Sequence, residues 1–580
     1  MIETKGLNGA EALLRVLAGM GVDHIFASPG SEWSPVWEAV AKARAQSEGL
    51  PLYLSTRHEE AAVGMASGYA KATGKLPAVM IHTTVGSLHA TMALRGALHE
   101  QVPMVVLTGE SIAFGEAEGP DPGGQWLGSL ADIGGPARLV QHCVKWSFGV
   151  NNKAILPATI QRACQIAMAA PKGPVFISVP MEYLFDKMAD KNLPNASLPL
   201  APAADPKGIE ELAALLAEAK SPVIICEDSG RNTNIVECTV ELAELVGAAV
   251  VETRGAGYIN FPRNQPLHGG FNPQEYLKDA DLVFFLGAVA PWHPPSAGPK
   301  EEVKVVVLHD NPLRTELPYW GFKNDFCLTG EIERSLELLL VQLKRRVSKD
   351  DPRRVDRREM LAKRYQERKK AWQETALGFK DRKPLDTRWV AHEIGRVLPA
   401  NALVVEETIT HRLAIHQYLD NLKPGSFFAG CIGGLGTGLG TALGVKAASP
   451  KRPVVCLIGD GAFNYDPALA ALGCAQEHAL PILIGLFNNQ GYLSMKSGVP
   501  KYYPDGWAKR TDNYVGTSIA PSPDYAAIAR AFDGYGEQVV EPGEVSGAVE
   551  RGLKAIAQGQ TALLDFRLAP VSETMERPDR

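Results

Sequence analysis

The stretch that decides the fold is PVVCLIGDGAFNYDPALAALGCAQEHALPILIGLFNNQGYLSMK, from Pro453 to Lys496. It opens with an apolar run, Val454 to Ile458, which is too short for an independent helix and apolar on both faces, so it predicts a buried parallel strand. A helical segment from Pro467 to Glu477 and a second apolar strand from Ile482 to Phe487 follow. A strand, a crossover helix and a second strand bring both strand-end loops to one carboxyl edge of a sheet, where open α/β folds bind ligands.

The two loops at that edge carry oxygen ligands. The GDG segment, Gly459 to Gly461, follows the first strand, and Asn489 and Gly491 follow the second. The carboxylate of Asp460, the amide oxygen of Asn489 and the carbonyl of Gly491 suit Mg²⁺ bridging a diphosphate, because Mg²⁺ takes octahedral oxygen ligands and shares its shell with phosphates. The glycines let the backbone approach closely. A lone GDG is more often an ordinary turn, but the two loops together favour a metal-diphosphate site.

This arrangement resembles the signature of the thiamin-diphosphate-dependent enzymes, the superfamily of pyruvate decarboxylase and acetolactate synthase. The resemblance implies thiamin diphosphate and Mg²⁺ as cofactors, with the metal held by Asp460, Asn489 and Gly491. Leu435, in CIGGLGTGLGTALG, resembles the bulky apolar residue that holds the cofactor in its bent form. The resemblance implies cofactor contacts by Glu59, Gly434, Leu435, Gly459, Asp460, Gly461, Ala462, Asn489, Gly491 and Tyr492.

Length and composition set the broad class of protein. The chain has 580 residues, enough for three domains, with 45% apolar and 21% charged residues, which is ordinary for a globular protein. A net charge of −6 favours neither nucleic acid nor a membrane surface. Eight scattered cysteines without a CxxC pair indicate reduced thiols, and no apolar run reaches membrane-span length. We therefore expect a cytoplasmic protein without nucleic-acid or membrane partners.

Alternating short apolar strands and helices predict an α/β fold of three doubly wound parallel-sheet domains. With the binding functions that the resemblance implies, we expect a pyrimidine-binding domain at 1–190, a central domain at 205–345, a charged helical linker at 346–384, and a diphosphate- and Mg-binding domain at 385–575. The strands predicted in the first two domains are His24–Ala27, Leu52–Ser55, Ala78–His82, Met104–Thr108, Val175–Val179, Pro222–Cys226, Ala249–Glu252, Leu282–Gly287 and Val303–Leu308.

Glu59 lies in TRHEEAAVGMASGYAKATG, directly after a predicted strand. Taken alone, it is a carboxylate at a helix start, favoured there by the helix dipole. The segment resembles the one that carries the activating glutamate of the thiamin enzymes, and alignment through GYA selects Glu59 rather than Glu60. Burial against the aminopyrimidine ring would raise the pKa of that carboxyl group, which would then hydrogen-bond the ring nitrogen.

Three further residues resemble active-site residues of the benzoylformate decarboxylases: Ser31 in SPGSEW, His82 in IHTTVGSLHA and His293 in GAVAPWHPPSAG. A single histidine is more often a surface or core residue, but all three residues lie at the ends of predicted strands. The resemblance implies that Ser31 binds the substrate carboxylate and that the histidines move protons. Ile409 and Arg412 stand where the benzoylformate decarboxylases usually have smaller polar residues. Leu493 and Met495 also differ from the substrate-pocket residues of those enzymes. The identity of the substrate is therefore left open.

The resemblance implies non-oxidative decarboxylation of a benzoylformate-type 2-oxo acid to an aldehyde, through a ylide and an enamine. Alternatives are an acetolactate-synthase-like carboligase, a lyase of a 2-hydroxyacyl thioester or a cyclic dione, and a non-catalytic paralogue that binds the cofactor. The presence of Glu59 and Asp460 disfavours the paralogue. The resemblance also implies a homodimer or homotetramer, with the active site between Glu59 of one subunit and the diphosphate loops of another.

Overall fold

The computed structural model describes residues 2–112, 121, 134–189, 192–193, 196–198, 200–430 and 434–573. They contain three parallel β-sheets and a small antiparallel sheet of two strands, Ile2–Glu3 and Asn192–Leu193. The spatial order of the first sheet is Leu52–Ser55, His24–Ser28, Ala78–Ile81, Met104–Glu110, Pro174–Pro180, Trp146–Gly149. The order of the second is Ala249–Glu252, Pro222–Cys226, Leu282–Leu286, Lys304–His309, Phe326–Thr329. The order of the third is Phe427–Ala429, Leu403–Glu407, Val454–Gly459, Leu483–Asn488, Ala562–Arg567, Tyr535–Val539.

Helices connect the parallel strands, as parallel pairing requires. Those before the central sheet are Gly9–Gly19, Ser34–Ala45, Glu59–Thr73, Thr83–His89, Thr91–His99, Gly135–Leu139, Leu156–Met168 and Met181–Phe185. Those around the central sheet are Pro206–Glu218, Thr233–Val246, Gln274–Leu277 and Ile332–Lys344, followed by the long helix Pro352–Leu377. The remainder are Thr387–Val397, Arg412–Tyr418, Gly438–Ala448, Asp460–Tyr465, Ala468–Glu477, Leu493–Tyr502, Trp507–Thr511, Tyr525–Arg530 and Val545–Ala557.

The predicted fold class is confirmed, because the three large sheets are parallel and helix-connected. The interior strands are apolar on both faces. In Leu282–Leu286, for example, every residue is buried, which is what a sheet covered by helices on both sides demands. The domain boundaries stay a prediction. Among the described residues, no helix is both long and apolar enough to cross a membrane.

Contacts divide the chain into two compact units. The first comprises residues 1–200, 431–451 and 464–480, and the second comprises residues 201–430, 452–463 and 481–580. The first unit therefore contains the Glu59 helix and the helix Gly438–Ala448. The second contains the metal-binding loops predicted from Asp460 and Asn489.

Glycines let two helices of the first unit approach closely. A Cβ atom placed on Gly68 would lie 2.0 Å from the carbonyl oxygen of Thr441, and one on Gly444 would lie 1.9 Å from that of Met65. The helix that begins at Glu59 is thus packed backbone to backbone on the helix Gly438–Ala448. This packing fixes the helix whose first residue is the proposed catalytic carboxylate.

Candidate active site

The two predicted metal loops of the second unit meet at the carboxyl edge of the third sheet. Gly459 pairs with Phe487 at the ends of the adjacent strands. One oxygen of Asp460 accepts the N–H of Gly461 at 2.8 Å, and the other accepts the N–H of Gly491 at 3.2 Å. The side-chain oxygen of Asn489 also accepts the Gly491 N–H, at 3.3 Å. The structure therefore brings together the carboxylate and the amide that the sequence singled out.

The electrostatics of this edge favour a cation. Asp460 is only 3% exposed, and burial raises the pKa of its carboxyl group to about 7, although backbone N–H groups of the two loops oppose the rise. The negative charge of Asp565 raises it further. A divalent cation would compensate a buried carboxylate, and one carboxylate with a neighbouring amide oxygen is a ligand set that Mg²⁺ accepts. The donor set therefore fits the metal.

The loops are too tightly packed for larger residues. A Cβ atom on Gly461 would lie 2.8 Å from the ring of Tyr492, and one on Gly491 would lie 2.4 Å from the carbonyl oxygen of Thr517. Ala462 is also buried. The roles of Gly459, Gly461, Ala462 and Tyr492 in cofactor binding stay predictions.

A third loop follows the strand Leu403–Glu407, whose last residue pairs with Ile458. Fully buried Glu406 accepts the N–H of Thr408 at 2.6 Å and Nε of Arg412 at 2.6 Å. Between them, Ile409 is 48% exposed and has a φ of 50°. A non-glycine residue in that region costs about 1–3 kcal/mol. The loop thus holds an apolar side chain at the sheet edge in spite of that cost.

Glu59 is the first residue of the helix Glu59–Thr73 in the first unit, as predicted. Its side chain is 12% exposed and lies 3.2 Å from Nδ1 of His89. A Cβ atom on Gly86 would lie 3.0 Å from Oε1 of Glu59 and 3.3 Å from Cβ of His82. The glycine therefore leaves room for Glu59 beside His82, so the structure brings these two predicted residues together.

His82 is paired with a buried carboxylate. It precedes the helix Thr83–His89, and its Nδ1 atom lies 2.9 Å from Oε2 of Glu32, whose side chain is 0% exposed. The backbone N–H of Thr83 also donates to Glu32, at 3.3 Å. The hydrogen bond to Glu32 raises the pKa of His82, and burial partly opposes it. Ser31 adjoins Glu32 and is exposed.

Two glycines make space for this pair. A Cβ atom on Gly30 would lie 1.9 Å from Nδ1 of His82 and 2.4 Å from Oε2 of Glu32. A Cβ atom on Gly109 would lie 2.1 Å from Cγ of Glu32. The backbone is therefore shaped around the carboxylate-imidazole contact.

The remaining predicted residues lie elsewhere. Gly434 and Leu435 are half-buried in the first unit, and the next residue, Gly436, has a φ of 104°. His293 is exposed in the second unit, in a loop that follows the strand Leu282–Leu286. That loop is anchored by buried Glu227, which accepts the N–H groups of Val289 and Ala290. The catalytic role of His293 stays a prediction.

Sequence analysis missed two functional candidates, Glu32 and His411. The partner of Glu32, His82, lies 50 residues further along the chain. His411 lies between Ile409 and Arg412, which depart from the family pattern, and it contacts Thr387 and Asn489 from distant parts of the chain. In the structure it is 4% exposed and faces Asn489. No local pattern signals either pairing.

Three family models match this chain. They are the N-terminal TPP binding domain, the central domain and the C-terminal TPP binding domain of the thiamine pyrophosphate enzymes, at residues 7–119, 209–339 and 409–566. Each model overlaps a different one of the three parallel sheets.

Individual relatives agree with the family models. The chain is 27% identical over 566 residues to benzoylformate decarboxylase of Pseudomonas aeruginosa, covering 94% of this chain and 96% of the relative. It is 25% identical to the acetolactate synthase isozyme 3 large subunit of Escherichia coli, covering 96% and 94%. The crystal structure of benzoylformate decarboxylase from Polynucleobacter necessarius superposes with a TM-score of 0.76 at 20% identity, over 99% of this chain and 100% of the other. At that identity the superposition shows the fold.

Proposed function

Since the chain belongs to the thiamin-diphosphate-dependent enzymes of the decarboxylase and acetolactate synthase type, we propose that it decarboxylates a 2-oxo acid. The proposed reaction is non-oxidative, requires Mg²⁺ and releases an aldehyde, with benzoylformate as the model substrate. The pairing of His82 with buried Glu32, beside Glu59, is the observation that carries this proposal.

The residues at the two loop clusters have distinct tasks in this proposal. Asp460, Asn489 and the carbonyl of Gly491 hold Mg²⁺, and the surrounding glycines admit the diphosphate. Glu59 hydrogen-bonds the aminopyrimidine ring, and Leu435 supports the cofactor. When bound, thiamin diphosphate supplies the electron sink for loss of carbon dioxide. The protein therefore has to place the substrate and control protons.

His82 is suited to proton delivery. With Nδ1 directed at Glu32, the other ring nitrogen, Nε2, is left to exchange a proton with the substrate. The buried carboxylate stabilises the protonated ring, so His82 holds a proton at a higher pH than an ordinary histidine. A decarboxylase needs such a donor, because the carbon that loses carbon dioxide must be protonated before the aldehyde leaves. We assign the substrate carboxylate to Ser31 and a second proton transfer to His293.

The third loop, which follows the strand Leu403–Glu407, suggests which kind of side chain the substrate carries. Ile409 is 48% exposed and lies next to the strand Val454–Gly459, which Asp460 follows, and Met495, soon after Asn489, is 53% exposed. Both offer apolar surface near the metal loops. This surface supports an acid with an aromatic or large aliphatic group over one with a charged side chain.

Subunit association completes the proposal. We propose a homodimer or homotetramer in which Glu59 of one subunit and the diphosphate loops of another serve the same cofactor. In a two-fold symmetric assembly each such contact occurs twice, so a dimer would have two equivalent sites.

Product analysis by NMR tests the reaction. The protein, thiamin diphosphate and Mg²⁺ are incubated with benzoylformate or pyruvate, each with and without an added aldehyde. Free benzaldehyde from benzoylformate is the expected result. A hydroxyketone without free aldehyde would instead assign the protein to the carboligases. Failure to turn over either acid would contradict the 2-oxo acid proposal and direct attention to 2-hydroxyacyl thioesters and cyclic diones.

A further inference from the structure

We infer that His411 is a positioning residue for the metal site: its ring holds the side-chain amide of Asn489 so that the amide oxygen, rather than the nitrogen, faces the cation. This inference depends on the metal site proposed above. It adds a residue that does not itself touch the metal.

His411 lies in the third loop, at the start of the helix Arg412–Tyr418, and is 4% exposed. Its Nδ1 atom is 2.8 Å from Oγ1 of Thr387, and its Nε2 atom is 3.5 Å from Nδ2 of Asn489. The ring stacks on Phe487 with centroids 5.6 Å apart and planes inclined at 27°. Packing and hydrogen bonding therefore fix the ring behind the amide.

The two ends of an asparagine amide have nearly the same shape, so hydrogen-bond partners decide which end faces which way. Oδ1 of Asn489 accepts the N–H of Gly491, while Nδ2 faces His411. A neutral histidine offers one donor and one acceptor. If Nδ1 donates to Thr387, then Nε2 accepts from the amide nitrogen, and one tautomer satisfies both contacts.

The reversed amide would be disfavoured at both ends. Its oxygen would face the lone pair of Nε2 of His411, and its nitrogen would face the N–H of Gly491. A reversed amide would also offer the metal an NH₂ group, which is no ligand for Mg²⁺. Second-shell partners of this kind commonly set the orientation of metal ligands, and their loss costs about 10–100-fold in metal affinity.

If His411 only filled space, its variants would behave differently from those of a residue that orients the Asn489 amide. His411→Phe keeps an aromatic ring on Phe487 but removes both nitrogens, whereas His411→Gln loses the ring and offers an amide oxygen as acceptor. If His411 acts only by filling space, Phe is the better replacement. If it acts on the amide, Gln is the better one.

The experiment measures Mn²⁺ affinity at saturating thiamin diphosphate, from the electron paramagnetic resonance signal of free Mn²⁺. We expect His411→Phe to weaken Mn²⁺ binding by about 10–100-fold and His411→Gln to recover most of the loss. Thr387→Val should weaken binding in the same direction. His392→Phe, whose ring stacks on Trp389 in the same unit, is the matched control and should bind Mn²⁺ as the wild type does.

A double substitution distinguishes an effect on the orientation of the Asn489 amide from general damage to the structure of the site. Asn489→Asp places oxygen at both ends of the side chain, so its orientation no longer matters. In that background, His411→Phe should leave Mn²⁺ affinity nearly unchanged. An equal loss in both backgrounds would overturn the inference.

The outcomes also distinguish this inference from the function proposed above. Unchanged Mn²⁺ affinity in folded His411→Phe, with wild-type binding intact, would refute the role of His411 and leave the metal site standing. Absence of Mn²⁺ binding by the wild type would refute the metal site and the inference with it.

Discussion

At the scale of single residues, Glu32 shows how one buried carboxylate sets the properties of its neighbour. Its side chain is fully buried, and the contact with Nδ1 of His82 is 2.9 Å long. The pKa of His82 is raised in the folded protein, chiefly by this hydrogen bond. The pair therefore stabilises the fold fully below the unfolded pKa of about 6.5, and this contribution is lost as the pH rises through the folded-state value.

Glu32→Gln is expected to lower the pKa of His82, because an amide cannot compensate the charge of the protonated ring. The measurement is a titration of the histidine Cε1–H signal by NMR, on wild type and variant. The difference in unfolding free energy between the two proteins should be largest at low pH and should narrow as the pH rises through the folded-state pKa.

Glu38→Gln is the matched control, since Glu38 is exposed on the next helix. It should leave the titration of His82 unchanged. An unaltered His82 titration in Glu32→Gln would contradict the pairing, whatever happened to activity.

Sequence analysis could predict those site residues that are recognisable from their own segment of the chain. Glu59 was placed at a helix start, and the structure begins the helix there. Asp460 and Asn489 were predicted to share a sheet edge because each follows an apolar strand. Glu32 and His411 could not be predicted in this way, because each acquires its role from a partner far along the chain. Such pairings depend on how the strands are ordered in the sheet, which hydrophobic pattern alone does not fix.

At the scale of secondary-structure elements, the crossing of the Glu59 helix and the helix Gly438–Ala448 brings two backbones of the first unit into direct contact. Gly68 faces the backbone of Thr441 at a distance that leaves no room for a methyl group. The crossing therefore links the position of the Glu59 helix to a glycine-rich segment near Leu435.

Gly68→Ala is expected to destabilise the protein by about 1–3 kcal/mol, because the added methyl group overpacks the crossing. Urea unfolding of the variant and the wild type measures the change.

Gly498→Ala is the control, because it also lies in a helix but has no atom within 4 Å of the added Cβ. It should be stabilising by about 0.5–1 kcal/mol, as alanine is the better helix former. Equal free energies of unfolding for Gly68→Ala and the wild type would contradict this prediction, because they would show that the two helices can move apart without loss of stability.

Elements were predicted well where they are buried on both faces. The strands Pro222–Cys226 and Ala249–Glu252, which are buried at every residue, have the predicted bounds. The more exposed edge strand Leu52–Ser55 has them as well. Sequence analysis missed Trp146–Gly149 and Phe326–Thr329, which are edge strands with mostly half-buried residues. An edge strand has a neighbour on one side and need not be apolar throughout, so it lacks the continuous apolar run that marks a central strand.

At the scale of the whole molecule, the proposal that two subunits contribute to each active site can be tested by mixing two inactive variants. Glu59→Gln and Asp460→Asn should each be inactive, one lacking the ring contact and the other a metal ligand. If different subunits supply the two residues, a mixed dimer contains one doubly altered site and one intact site.

Exchange of subunits between the two inactive variants is therefore expected to restore activity, to about a quarter of the wild-type value for random pairing in a two-fold dimer. The measurement is turnover of the acid identified by product analysis, after the variants are mixed under conditions that exchange subunits. Lack of any restoration, with exchange verified by native mass spectrometry, would contradict the shared site.

The most direct test of the central claim is carbon dioxide release from benzoylformate by wild type, Glu59→Gln and Glu60→Gln, each with and without thiamin diphosphate and Mg²⁺. We predict release by the wild type only with both cofactors, a loss of about 10²–10⁴-fold in folded Glu59→Gln, and substantial activity in Glu60→Gln. Near-normal release by Glu59→Gln, or release by the wild type that is indifferent to the cofactors, would contradict the account.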